Sequence, residues 1–205
     1  MDFNKILNSK VIYSIQPKYT HKILSGTKRI EIRKRIPKLD LPHTCYIYCT
    51  KGEGYLQSRS NLQFYLEDQD ILGGHGSGLY IRLNGLVVAE FQCNNISTYK
   101  YDATSNTYMI PEEHLRMSGL SQEELVTYGQ GQDLYGIHID ELTTYKEPKS
   151  ISKFFKFCDG YVDDTRCTKC LYCHIACAQG KQALKSAPQS WGYVGGVFDD
   201  CIQNK

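Results

Sequence analysis

Ser14-Ile15-Gln16-Pro17-Lys18-Tyr19-Thr20-His21-Lys22-Ile23-Leu24-Ser25-Gly26-Thr27-Lys28-Arg29-Ile30-Glu31-Ile32-Arg33-Lys34-Arg35 is the stretch whose reading decides the fold. Pro17 suits a first helical position, and Gly26 can close the helix in a left-handed conformation. Between them Tyr19 and Ile23 lie four apart on one face, with Lys18 and Lys22 four apart on another. A short strand from Val11 leads into this helix. Beyond the turn, Ile30, Ile32 and Ile36 alternate with Arg29, Glu31, Arg33 and Arg35, the pattern of a half-buried strand with a charged face. Glu31 sits among cations there, where its charge would orient Lys28 or Arg33 or meet a ligand donor.

Residues 44–50 read as a further strand in which Cys45, Ile47 and Cys49 face the core as small hydrophobes. Cys45 and Cys49 would stand about 13 Å apart along it, beyond disulfide reach. Residues 51–78 carry Gly52, Gly54 and the Gly73-Gly74-His75-Gly76-Ser77-Gly78 cluster, which predicts a long loop or lid with at most a helical turn at Gln63–Leu66. No Gly-Lys-Ser/Thr ends that cluster, so it is not a phosphate-cradling Walker loop, and His75 reads as loop. Leu79–Leu83 and Leu86–Gln92 flank Asn84-Gly85, a strong hairpin signal, with Val87, Ala89 and Phe91 facing one way and Glu90 the other. Residues 94–117 are polar and read as irregular. Ser121 and Glu124 form a capping-box pattern opening a helix through Leu125 and Tyr128, closed by Gly129-Gln130-Gly131. Tyr135, Ile137 and Ile139 then alternate with His138 and Asp140 in another strand. Short strands with two helices predict an α+β fold, a small mixed barrel, with residues of about 150–185 inserted before a last strand.

The 205 residues, 41% hydrophobic and 22% charged, suffice for one folded domain with an insertion and exclude fibrous or wholly disordered classes. No apolar run approaches the roughly 20 residues of a membrane helix, and Met1-Asp2-Phe3-Asn4-Lys5 lacks the apolar core of a signal peptide, so a cytoplasmic protein without a membrane partner is expected. The net charge is only +2, yet Lys18 to Lys38 holds eight cations against Glu31 alone. That segment attracts anions. Lys18, Lys22, Arg29, Arg33 and Arg35 suit phosphates, while Trp191, the only tryptophan, and Tyr128 or Tyr193 could stack an unpaired base, with Ser190 bonding a base edge or phosphate.

Nine cysteines are present, and Cys158, Cys167, Cys170, Cys173 and Cys177 fall within twenty residues. An odd count without a secretory signal favours a metal site over disulfides. A Cys-x2-Cys turn lets two thiolates meet one zinc ion at about 2.3 Å, so the expected set is Cys158, Cys167 and Cys170 with one of Cys173, Cys177 or His174. The run from Cys167 to Cys177 also has ferredoxin-like spacing, with Ala178 in place of the usual proline, which makes an iron–sulfur cluster the alternative. Either would supply folding energy to a segment too small for its own core.

The quoted stretch resembles the opening motif of the ASCH domain, a branch of the PUA-like superfamily. Tyr46–Lys51, Asn84–Phe91, Gly119–Tyr128, Leu134–Ile139 and Ala187–Val194 resemble later blocks of bacterial and phage-associated ASCH proteins. The resemblance implies a PUA-like barrel over residues 1–149, interrupted by the Cys-rich segment 150–185 and completed by 186–205. It also implies a cleft lined by the Gly26-x-Lys28-x-x-Glu31-x-Arg33 segment that binds RNA or a modified nucleoside. Some relatives are hydrolases of acylated cytidine or ribonucleases, which makes Lys28 and Glu31 the candidate catalytic pair. The amidohydrolase pattern is incomplete: Lys28 matches its lysine, but Glu31 occupies the threonine position and the glutamate position falls near Ser118. Lys28 and Glu31 could still do acid–base work, or form a salt bridge that shapes a binding cleft. A third reading is a phage-type effector that binds a host protein.

For the cysteine segment, elemental analysis is expected to find about one zinc per chain and no visible absorbance. A brown protein containing iron and sulfide would replace zinc with a cluster.

Overall fold

The structure, a computed structural model, describes residues 10–59, 63–67, 80–157, 161–163, 166–167 and 181–197. Strand β1 (Lys10–Ile15) runs into helix α1 (Pro17–Leu24), followed by β2 (Ile30–Arg33) and β3 (His43–Cys49). Next come β4 (Tyr55–Arg59), β5 (Phe64–Glu67), β6 (Tyr80–Arg82), β7 (Leu86–Cys93), β8 (Ile96–Asp102) and β9 (Thr107–Met109). Helices α2 (Glu112–Ser118) and α3 (Gln122–Gly129) precede β10 (Leu134–His138) and the long β11 (Asp140–Ser150). A 3-10 turn (Ile151–Lys153) leads to β12 (Phe154–Phe157), β13 (Tyr161–Asp163), β14 (Arg166–Cys167), β15 (Lys181–Ala183), β16 (Trp191–Val194) and β17 (Gly196–Val197).

The central sheet has the order β11-β7-β3-β1-β16. Only its β1–β3 pair is parallel, Val11 opposite Cys45 through Ile15 opposite Cys49. Both faces of this sheet are covered, so β1 and β3 read as near-continuous apolar runs. On one face Val11, Tyr13, Ile15, Cys45, Ile47 and Cys49 pack with Ile23 of α1 and with Phe91. On the other, Ile12, Tyr46 and Tyr48 meet Phe154, Val194 and Val197. Burying each such side chain is worth roughly 1.5–3 kcal/mol. A second sheet, β2-β10-β8-β9, forms a third core in which Ile30, Ile32 and Tyr99 pack with Leu125 of α3. Close approach here requires glycine: a Cβ on Gly136 would stand 2.5 Å from the Tyr99 hydroxyl and 2.9 Å from Ile30.

Several local expectations hold. Pro17 opens α1 and Gly26 has φ 76°. Ser121 and Glu124 make the full capping box, and Gln130 takes the left-handed position after α3. Cys45 and Cys49 are buried free thiols.

Others are corrected. Phe64–Glu67 is a strand, not a helical turn, and residues 51–78 are not simply loop: β5, β4 and β6 form a three-stranded sheet. His75 and the glycine cluster lie outside the described residues. The turn at Asn84-Gly85 exists, but it does not make a hairpin, because β6 pairs with β4 and β7 pairs with β3 and β11. The Asn84 side chain accepts from Leu56 N at 2.9 Å and donates to Gly54 O at 2.9 Å, while Gly85 N donates to Cys49 O at 2.7 Å. The turn is thereby tied to two other segments and its strands diverge. Val87 also faces away from Ala89 and Phe91, because Ile47 opposes Ala89 and Tyr48 opposes Val87, leaving Val88 as the extra residue of a bulge. Residues 94–117 are not irregular: they form β8, β9 and α2, with Asp102 accepting from Thr104 N and Ser105 Oγ in the turn. Finally, the basic strand is four residues long and buried on both faces, not half-buried.

Cys158, Cys170, Cys173, Cys177 and His174 lie outside the described residues, and Cys167 is described only as a backbone partner of Tyr161 in the β13–β14 pair. Among the described residues no cluster of His, Cys, Asp and Glu is arranged to hold a metal ion, and no helix is long and apolar enough to cross a membrane.

Candidate functional site

The turn after α1 delivers Lys28 inward. With Gly26 in its left-handed conformation, Lys28 N and Thr27 Oγ1 both donate to Lys22 O, at 2.9 and 3.0 Å. The Lys28 side chain is 2% exposed, its Nζ 2.7 Å from Ser118 O and 3.3 Å from Glu31 Oε2. Glu31 Oε1 in turn receives Arg33 at 2.9 Å. The guanidinium also donates to Ser14 O at 2.9 Å and Ser190 Oγ at 3.2 Å, and lies 5.5 Å from the Tyr13 ring centre. One buried carboxylate therefore joins two buried cations. Burial pushes the Lys28 ammonium below its ordinary range, against the opposing pull of Glu31.

These groups line a cavity of about 470 Å³ between α1, β1, β2 and α3, within the range of small-ligand sites. Its walls include Tyr19, Lys28, Glu31, Arg33, Tyr128 and Gln189. Lys28 and Arg33 are matched there by Glu31 and Glu124, so the lining is formally neutral. Arg33 Nε is buried without a protein partner and remains as a donor. At the rim Lys18 stands 3.7 Å from Glu124, and Lys34 lies 5.3 Å over the Tyr128 ring.

Helix α2 ends against the Lys28 side chain. The carbonyls of Met117, Ser118 and Gly119 at its C-terminal end accept Arg29 N, Lys28 Nζ and Lys22 Nζ, each at 2.7 Å. Cations gather there because exposed carbonyls and the helix dipole favour them. The position near Ser118, where the amidohydrolase pattern carries glutamate, thus presents a backbone carbonyl to Lys28.

Of the residues singled out in the sequence, Lys28, Glu31, Arg33 and Tyr128 line the cavity, and Ser190 bonds Arg33 beside it. Lys22 is turned to Gly119, Lys18 marks the rim, and the Arg29 and Arg35 side chains are exposed. Trp191 is half-buried outside the lining, its indole N–H donated to Arg35 O at 3.0 Å. Sequence reasoning missed Ser14, Gln16, Tyr19 and Gln189. Tyr19 read as an apolar helix face, yet the ammonium groups of Lys18, Lys22 and Lys28 lie 5.4, 6.0 and 5.6 Å from its ring centre. The signal for α2 was present in Pro111-Glu112-Glu113 and Gly119, an acidic first turn and a left-handed cap.

Among solved structures, this chain is similar to ASCH from Zymomonas mobilis, at 15% identity over 96% of this chain and 92% of that one, with a TM-score of 0.50. The fold is that of an ASCH protein. A Tyr-to-Phe and a Ser-to-Ala variant of the same Zymomonas mobilis protein match 69% of this chain at 15% and 16% identity, each with a TM-score of 0.45. No protein-family model and no curated protein matches the sequence.

Glu31→Gln would leave Lys28 and Arg33 buried without their anion. It is expected to lower stability by about 3–5 kcal/mol in urea unfolding, and a change of less than about 1 kcal/mol would show that Glu31 does not hold the site together.

Proposed function

We propose that the cleft receives an unpaired base of RNA or a modified nucleoside. The observation that carries this reading is a cavity of about 470 Å³ in which Glu31 already bridges both buried cations. A phosphate entering it would have to displace Glu31 from two cations, whereas an uncharged polar ring between Tyr19 and Tyr128 would not. Arg33, a residue of the cavity wall, keeps a buried Nε–H without a protein partner. Phosphates are left to cations outside the cavity, Arg29, Arg35 and Lys18. The ASCH fold, with its RNA- and nucleoside-binding relatives, supports the same reading. The test is binding of labelled single-stranded RNA, single-stranded DNA and duplex DNA at low and moderate salt. Single-stranded RNA is expected to bind most tightly, with log affinity falling by about 0.7 per phosphate contact for each decade of salt. Lys28→Met, which keeps the packing on Tyr19 but removes the charge, is expected to weaken that binding. No binding to any nucleic acid or nucleoside would overturn the reading.

A second reading, hydrolysis of an acylated cytidine or of RNA at the same cleft, is favoured by Lys28 itself. An amine held below its ordinary pKa by burial, 3.3 Å from a carboxylate, can accept a proton that a surface lysine would not. The sign follows from the base form: turnover is expected to rise with pH through an apparent pKa below the ordinary value of about 10.4. Lys28→Arg, which stays protonated, should abolish it. Turnover unaffected by that substitution would remove Lys28 as the base.

A further inference from the structure

We infer that a single RNA strand leaving the cleft runs outward along β16, with the exposed ring of Tyr193, backed by the core-packed Trp191, as its stacking surface and Arg35 and Lys38 on its phosphates. The inference rests on the reading of the cleft as a base-binding site and extends it: the ligand is a strand, not a free nucleoside.

The cleft wall is joined to β16 through bonded and packed neighbours. The Arg33 guanidinium lies over the Tyr13 ring, and Tyr13 is the β1 partner of Trp191. Ser190, which accepts from Arg33, immediately precedes Trp191 and is fixed by its carbonyl to Ser14 N at 2.8 Å. Two residues on, Tyr193 lies on the same side of the strand, about 7 Å further out. The rings of Trp191 and Tyr193 meet edge to face at 5.5 Å, and Tyr193 remains 40% exposed. β16 is an edge strand of its sheet, with β12 packed beside its far end through the Gly195 N to Phe155 O bond at 2.8 Å.

The chain after β2 supplies the charge. It crosses the same surface, held by two bonds: Trp191 Nε1 donates to Arg35 O, and Lys38 N donates to the Tyr193 hydroxyl at 2.8 Å. Both bonds use the backbone of the crossing segment, which leaves the Arg35 and Lys38 side chains exposed. Among the described residues neither forms an ion pair with a carboxylate, unlike Lys18, Lys28, Arg33 and Lys100. Aromatic faces interleaved with unpaired cations fit single-stranded nucleic acid, whose bases can splay and stack; a duplex keeps its bases paired and offers no face.

The experiment is fluorescence anisotropy with labelled single-stranded RNA of about 3 and about 10 nucleotides, the longer within the usual span of such grooves. The wild type is expected to bind the longer oligomer at least about tenfold more tightly, the order of one base stack. Tyr193→Ala combined with Lys38→Ala should erase that gain, and restoring the ring as Tyr193→Phe with Lys38 intact should recover it. Lys38→Ala alone, which leaves every packed ring in place, should lower the salt slope for the longer oligomer by about 0.7. Length-dependent binding that persists at full strength in the double variant, or an unchanged slope in Lys38→Ala, overturns the track. Equal wild-type affinity for both lengths overturns it while leaving the cleft reading intact, and no wild-type binding to either overturns both.

Discussion

The Glu31 carboxylate, held between Lys28 and Arg33, is the constraint on which the site depends. In a region of low effective dielectric an unpaired charge is far costlier than at the surface, so each of these three side chains is tolerable only because of the others. Their positions come from different parts of the chain. Gly26 turns Lys28 inward, β2 carries Glu31 and Arg33, α2 offers the Ser118 carbonyl, and the approach to β16 brings Ser190. The ion ladder is therefore also a tie between segments far apart in sequence. It ties α2 and the approach to β16 to β2, the strand that carries Glu31 and Arg33 into the cleft wall.

Helix α2 has its own mounting at the other end. The Tyr99 hydroxyl is 3.0 Å from His114 Nδ1, and the His114 ring meets that of His138 on β10 edge to face at 5.2 Å. Burial and the neighbouring His114 both hold His138 below its ordinary pKa. A neutral His138 ring suits this edge-to-face contact. Tyr99 in turn needs the missing Cβ of Gly136 to fit beneath the helix. The carbonyls that receive Lys22 and Lys28 are thus fixed by packing on the second sheet.

How much of this was legible in the sequence depended on whether the signal was local. Helix α1, the capping box of α3 and the alternation around Glu31 were readable because each rests on residues within a few positions of one another. The Asn84-Gly85 turn was readable as a turn but not as a divergence, because the Asn84 amide is spent on Gly54 and Leu56, some thirty residues back. Burial of the charged face of β2 was equally hidden. Alternation shows that Glu31 and Arg33 share a side, but only the tertiary fold shows that α1, α2 and α3 cover it. Helix α2 was missed because its seven residues are too few for a clear period, although its end signals were present.

The cations of the Lys18–Lys38 segment divide into two populations that the sequence presents as one. Lys28 and Arg33 are buried and bonded to Glu31 and to carbonyls. The side chains of Arg29, Arg35 and Lys38 are exposed. The first group answers a long-range field weakly, because Glu31 cancels one of its two charges at contact distance and carbonyls hold the rest. The second answers it directly, and its attraction is screened by salt over roughly 10 Å. On the proposed reading, affinity for a polyanion comes from outside the cavity and discrimination from inside it, where a ligand must match the buried donor of Arg33 and the rings of Tyr19 and Tyr128. The local charge of the segment therefore overstates how basic the cleft is: what attracts the strand and what reads the base are different residues.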